Sequence, residues 1–263
     1  MNKSQPIGIF DSGVGGTSIW KEIHELLPNE HTIYLSDSKN APYGLKTQEE
    51  IIALSIKNTE KLLELNCKLI VIACNTATTN AIKVLRSSYK IPFIGIEPAI
   101  KPAALKSTNK AIGILATRGT LSSELFAQTS ELYTKDIQVV EVEGNGLVEL
   151  IEAGKTNTPE MIGLLQHLLK PMLDARIDYL VLGCSHYPYL IPVLQEILPD
   201  TVKIIDSGEA VAKQTKIILA ERDLLNDNPE AISNSFYSNS NPDVLSSIIS
   251  SGEQNYKVET LDF

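Results

Sequence analysis

Basic residues are in short supply in this chain: 23 Lys and Arg against 32 Asp and Glu, a formal net charge of −9. A nucleic-acid binder usually carries a basic patch, and no run of Lys or Arg is present, so no nucleic-acid partner is expected. Cysteine is also scarce. Cys67, Cys74 and Cys184 are an odd count without Cys-x-x-Cys spacing, which argues against a disulfide framework or a structural zinc site. No apolar run approaches the roughly 18 residues needed to span a bilayer, so no membrane segment is expected. Residues 1–10 lack a basic stretch followed by an apolar one. A secretory leader is therefore not expected, and the cytoplasm is the default location.

With 43% apolar and 21% charged residues among 263, the composition suits a globular chain of one large or two small domains. Strand-like and helix-like patterns alternate along it. Pro6–Phe10 is a short apolar strand ending in a Gly-rich turn, and residues 16–27 carry apolar side chains at helical spacing. His31–Ser36 reads as a second strand. Thr47 and Glu50 form a capping-box pattern that opens a helix running to about Asn66. Leu69–Ala73 is apolar throughout, as in a parallel sheet covered on both faces. A helix over about 76–88 and a strand over 92–96 complete a βαβαβαβ unit.

The pattern then begins again. Ala111–Leu115 echoes Pro6–Phe10, and Tyr179–Gly183 echoes Leu69–Ala73. Each of the latter ends in Cys followed by a small polar residue, and Val202–Asp206 echoes Phe93–Glu97. This predicts an α/β fold of two pseudo-symmetric doubly wound parallel sheets facing a shared cleft. The tail from Gly208 is expected to add a helix, a strand at 233–237, a short helix after Pro242 and a strand near 257–261, joined by Asn/Ser-rich loops.

Ligands of open parallel sheets bind beyond the carboxyl ends of the strands, and three polar segments fall there. Asp11-Ser12-Gly13-Val14-Gly15-Gly16 is neither a Walker loop nor a dinucleotide fingerprint, and alone it reads as an ordinary βα turn. Cys74-Asn75-Thr76 places a thiol at a helix start, where N–H groups lower a thiol pKa. A lone cysteine is more often inert packing. Cys184-Ser185-His186 weakens that reading, because it sets a second thiol at the matching address with an imidazole two residues on. Cys67 is assigned to packing. His24, His31 and His167 lie apart from such motifs, and Cys184 with His186 lacks further ligands for a metal. Two opposed thiols could form a redox disulfide or flank a substrate carbon. In the second case one removes a proton from one face and the other returns one to the opposite face.

These segments, together with Pro42-Tyr43-Gly44, Ile96-Glu97-Pro98-Ala99, Ala116-Thr117 with Thr120, and Tyr187-Pro188, occur in an order that resembles the glutamate racemases of the aspartate/glutamate racemase superfamily. The resemblance covers the whole chain. It implies cofactor-independent, metal-free interconversion of L- and D-glutamate, a small-molecule substrate, for peptidoglycan synthesis. It implies Cys74 and Cys184 as the two bases, Asp11 assisting the first, His186 the second, and Glu152 near the second. Ser12, Tyr43, Gly44, Asn75, Thr76, Thr117, Thr120 and Ser185 would hold substrate with Asp11 and His186.

It further implies one domain of residues 1–98 plus 208–263 carrying Cys74 and another of 99–207 carrying Cys184, and it admits a homodimer. Ser185 stands where the family commonly has Thr, Lys39-Asn40-Ala41 where an arginine is common, and Glu143–Gly146 in place of a Cys-Pro-containing stretch. The chain begins almost at its first strand, so no activation by a UDP-linked peptidoglycan precursor is expected. A related racemase of aspartate and a non-catalytic amino-acid-binding module are the rival readings.

Overall fold

Short runs rich in Ile, Val and Leu build two parallel sheets. The computed structural model describes residues 1–228, 232–250 and 256–263. Its strands are β1 (Ile7–Asp11), β2 (Thr32–Ser36), β3 (Leu69–Ile72), β4 (Phe93–Gly95), β5 (Ala111–Ala116), β6 (Gln138–Glu143), β7 (Tyr179–Gly183), β8 (Lys203–Ile205), β9 (Asn234–Ser238) and β10 (Val258–Thr260). The helices are α1 (Thr17–Leu26), α2 (Gln48–Glu64), α3 (Asn75–Ser88), α4 (Ile100–Lys106), α5 (Arg118–Leu121), α6 (Glu124–Tyr133), α7 (Leu147–Glu152), α8 (Pro159–Asp174), α9 (Ile191–Ile197), α10 (Gly208–Glu221) and α11 (Asp243–Ile249).

One sheet runs β10-β9-β2-β1-β3-β4 and the other β6-β5-β7-β8. Every pairing is parallel. The order β2-β1-β3-β4 in the first corresponds to β6-β5-β7-β8 in the second, so β3 and β7 hold equivalent places. The tail extends the first sheet, with β9 along β2 and β10 along β9. The loop reading of the tail at 229–231 lies outside the described residues.

Local chemistry explains the element boundaries. Thr47 caps α2 by accepting from the Glu50 N–H, while Glu50 accepts from the Thr47 N–H, a full capping box. Cys74 occupies the N-cap of α3, so that helix begins one residue earlier than its pattern suggests. β1 and β3 are buried along their whole length, which accounts for their unbroken apolar runs. Ile7 and Ile9 pack with Ile19, Trp20 and Ile23 of α1, in a cluster that continues through Leu147 and Ile151 of α7 to Leu182 and Tyr187. One apolar core thus passes from the first sheet to the second. Each such side chain contributes about 1.5–3 kcal/mol on burial.

At the end of the first sheet away from the cleft, buried Lys68 donates to Glu30 Oε2 at 2.6 Å and to the Leu224 carbonyl at 2.9 Å. Glu30 also accepts from the Asn226 N–H, which ties the tail to the strand roots. Among the described residues, no helix is long and apolar enough to cross a membrane.

Candidate active site

The loop after β1 is folded around its own aspartate. Asp11 Oδ2 accepts from the Gly16 N–H at 2.8 Å and the Gly13 N–H at 3.3 Å. Its other oxygen accepts from the Ser185 hydroxyl at 3.1 Å, across the cleft. The Val14 N–H donates to Glu152 Oε1 at 2.7 Å, and the Gly15 N–H lies 3.3 Å from His186 Nε2. The glycines therefore present N–H groups, and these groups meet side chains of the protein. A Cβ on Gly13 would lie 1.9 Å from Glu152 Oε1, and one on Gly15 would lie 2.2 Å from His186 Nδ1. Only glycine permits that approach.

Cys74 follows β3 and is 4% exposed. Its Sγ accepts from the Ala77 N–H at 3.4 Å, and its thiol donates to Ser12 Oγ at 3.6 Å. Burial pushes this thiol well above its ordinary value, and the Asp11 carboxylate pushes it further. The helix N–H and Ser12 oppose this shift and lose, as does the expectation that the helix start would depress it. Negative charge on Cys184 also raises Cys74.

Cys184 follows β7 and is 7% exposed. His186 Nδ1 lies 3.8 Å from its Sγ, and His186 Nε2 lies 2.6 Å from Glu152 Oε1. Glu152, the last residue of α7, also accepts from the Ser38 hydroxyl at 3.2 Å. Burial disfavours charge on His186, but Cys184, Glu152 and Asp11 outweigh it and hold the imidazole well above its usual range. Burial likewise disfavours the Glu152 carboxylate, yet His186, the Val14 N–H and Ser38 leave it below the ordinary value. Both directions describe one imidazolium–carboxylate pair. Burial raises Asp11, against the opposing pull of His186, whose Nδ1 is 4.0 Å from Asp11 Oδ2.

Where the two halves meet beyond Cys74, three hydroxyls converge. Thr76 Oγ1 lies 2.7 Å from Thr117 Oγ1 and 3.4 Å from Thr120 Oγ1. Gly44 packs against Thr117, where a Cβ would sit 2.9 Å from its Cβ. The Asn75 side chain is 2% exposed, and neither its amide nitrogen nor its oxygen has a partner. A buried amide left unpaired is costly and marks a place where a polar ligand fits.

Tyr43 turns away from this group: its hydroxyl donates to Asp37 and accepts from Asn58 Nδ2. Ser38, Asp37 and Tyr34, whose hydroxyl donates to the Gly13 carbonyl, went unselected by sequence reasoning. Asp37 and Ser38 follow β2 at its carboxyl end, and the strand-end rule that selected Asp11 and Cys74 applies equally there.

The thiol and imidazoles set aside on sequence grounds lie apart from this site. Cys67 is buried beneath Gly8, with its thiol pushed up to about 12 by burial. His24 stacks on Trp20, and His31 accepts from the Ser233 N–H. Among the described residues, no group of three or more His, Cys, Asp or Glu side chains is arranged to hold a metal ion.

The family model described as Asp/Glu/Hydantoin racemase matches residues 7–215. The chain belongs to that family. A glutamate racemase of Ectopseudomonas mendocina is 46% identical over 231 residues, 87% of this chain and 88% of the relative. A glutamate racemase isoform of Bacillus anthracis superposes with a TM-score of 0.87 at 29% identity, over 99% of this chain and 98% of that one. The Escherichia coli glutamate racemase, solved with L-glutamate and an activator, superposes with a TM-score of 0.86 at 32% identity, over 97% of each chain. The family membership makes this racemase an isomerase.

Proposed function

We propose that this racemase interconverts L- and D-glutamate by a two-base mechanism at Cys74 and Cys184, without a cofactor. The observation that carries the reading is the pair of thiols at equivalent strand ends of two sheets with one strand order, each thiol with its own polar partners. The glutamate racemases it resembles, one of them holding L-glutamate, support the substrate.

In one direction the Cys74 thiolate takes the α-hydrogen of D-glutamate, and the Cys184 thiol delivers its proton to the opposite face. Cys74 ends as a thiol and Cys184 as a thiolate. The reverse reaction uses the same groups with roles exchanged. Burial and Asp11 keep Cys74 protonated before substrate arrives. The substrate ammonium supplies the missing positive charge and favours its ionisation. On the other side, His186 Nδ1–H points at the sulfur that must carry charge, and Glu152 orients and charges the ring.

Asn75, Thr76, Thr117, Thr120, Ser12 and Ser185 are the neutral donors for the carboxylates. Asp11 receives the ammonium. Tyr43 acts through the placement of Gly44. The unit bearing Cys74 comprises residues 1–98 and 208–263 and that bearing Cys184 residues 99–207, a division supported by which strands share a sheet. The product is D-glutamate for peptidoglycan, made in the cytoplasm.

Incubation with L-glutamate in D₂O, with no cofactor, tests the reading. Loss of both the circular-dichroism signal and the α-proton resonance is expected. Retention of both under reducing conditions, or turnover of aspartate alone, would overturn it.

A further inference from the structure

The thiols are nearly sealed from solvent, and a surface cavity beside the hydroxyl cluster has a distinctive rim. Pro42, Gly44 and Thr117 line it on the side of the hydroxyl cluster, with Glu143, Glu149 and Arg118 around it. Among the described residues lining it, Arg118 is the single cation and the two glutamates are its anions. Arg118 opens α5, directly after Thr117, whose hydroxyl meets Thr76 two residues from Cys74. Its Nε lies 3.2 and 3.3 Å from the two oxygens of Glu143. The arginine side chain is 60% exposed and that of Glu143 31%. An ion pair so open to water adds little stability, and either partner is exchanged at small cost.

The substrate carries two carboxylates and one ammonium and approaches a chain of net charge −9. Like-charge repulsion at the rim slows such an approach unless a local cation offsets it. We propose that Arg118 is a substrate-recruiting residue: its guanidinium trades Glu143 for a carboxylate of the incoming dicarboxylate and hands it inward past Thr117. Glu143 is then a competitor that occupies the guanidinium between turnovers. This inference rests on the glutamate-racemase reading. An arginine suits the role better than a lysine, because its planar fork matches a carboxylate in two-point contact.

The test is steady-state kinetics of Arg118→Gln, Arg118→Lys and Glu143→Gln beside the parent protein, whose own racemisation in the same assay tests the activity separately. Circular dichroism and thermal melts check folding. At low ionic strength Arg118→Gln raises KM roughly two- to fivefold, the worth of an exposed ion pair, with kcat changed far less. Arg118→Lys falls between that variant and the parent. Glu143→Gln lowers KM, because it frees the guanidinium. Added salt, which shortens the screening length from about 30 Å at 0.01 M to about 8 Å at 0.15 M, shrinks all these differences. If the pair were only a brace for α5, removing either partner would shift KM in one direction, and that result would overturn the proposal. An unchanged KM in Arg118→Gln at low salt would overturn it equally.

Discussion

Cys74 and Cys184 stand at the same address in two sheets of the same strand order, yet one is surrounded by neutral donors and the other by a charged relay. Cys74 meets an Ala77 N–H and a Ser12 hydroxyl, with the Asp11 carboxylate adding negative charge nearby. Cys184 faces His186, which Glu152 and Asp11 hold protonated. Repetition of a fold thus duplicates position without duplicating electrostatics. A racemase with equivalent products needs this arrangement less than its symmetry suggests. The free-energy difference between enantiomers is zero, so kcat/KM must be equal in both directions whatever the two sides look like. Asymmetry between the thiols therefore shows in individual constants and isotope effects.

The harshest way to break the comparison removes a sulfur. Cys74→Ala and Cys184→Ala are each expected to abolish racemisation in both directions while leaving the fold intact, since every turnover uses both groups. Circular dichroism at 200–220 nm on intact protein, with polarimetry on glutamate, reads this directly. Substantial racemisation by either variant would refute the two-base mechanism.

Removing one partner from each side is gentler. Asp11→Asn and His186→Asn are each expected to lower turnover by about 10²–10⁴-fold, the usual contribution of a positioned acid or base. The sharper readout is the α-deuterium isotope effect measured from each enantiomer. Loss of His186 slows transfer at Cys184, and the effect rises most for L-glutamate. Loss of Asp11 acts mainly on Cys74, and the effect rises most for D-glutamate. Equal changes from both enantiomers in both variants would mean that neither side chain belongs to one thiol. That outcome has a structural route, because Asp11 also touches Ser185 and lies 4.0 Å from His186 Nδ1.

Glu152→Gln sharpens the second side alone. The amide oxygen still accepts from His186 Nε2, so geometry is kept while the charge is lost. His186 is raised above its ordinary value of about 6.5. The stability it confers as a cation is fully present below that value and is lost as pH rises through the folded pKa. Without the carboxylate the folded pKa drops, so the alkaline limb of kcat/KM moves to lower pH, with a loss of about tenfold near the old limb. A pH–rate profile identical to the parent would show that Glu152 contributes orientation only.

How much of this was legible in the residues depends on distance along the chain. Paired thiols at βα turns, the capping box at Thr47 and the alternation of strands are local patterns, and they read correctly. The repeat of four strands followed from three echoes about 105–110 residues apart. What stayed hidden is what the chain brings together across the cleft. Gly13 and Gly15 read as an ordinary βα turn, but their close neighbours are Glu152 and His186, which lie 139 and 171 positions away. Ser38 sits at a strand end as Asp11 does, but its partner Glu152 arrives from far along the chain. The Tyr43 hydroxyl goes to Asp37 and Asn58 inside the first half, partners that no local pattern announces. Burial at Cys74 outweighed the helix N–H groups, and no one-dimensional pattern reports how deeply a strand end is covered.

The smallest expected effect tests the neutral side. Among the described residues, Ser12 is the side chain that hydrogen-bonds Cys74, at 3.6 Å, and it stabilises the thiolate by turning its hydroxyl toward sulfur. Ser12→Ala removes that donor and leaves the Ala77 N–H in place. A neutral hydrogen bond is worth about 0.5–1.5 kcal/mol, so turnover should fall roughly two- to tenfold. The loss should fall on the D-to-L direction in kcat and leave the alkaline limb set by His186 where it stands. The same change in a Glu152→Gln background should be additive in free energy if the two sides work independently. Strong non-additivity would mean that the coupling between the two sulfurs, rather than the partners of each, sets the rate, and the contrast between a neutral side and a charged side would then describe one shared proton site.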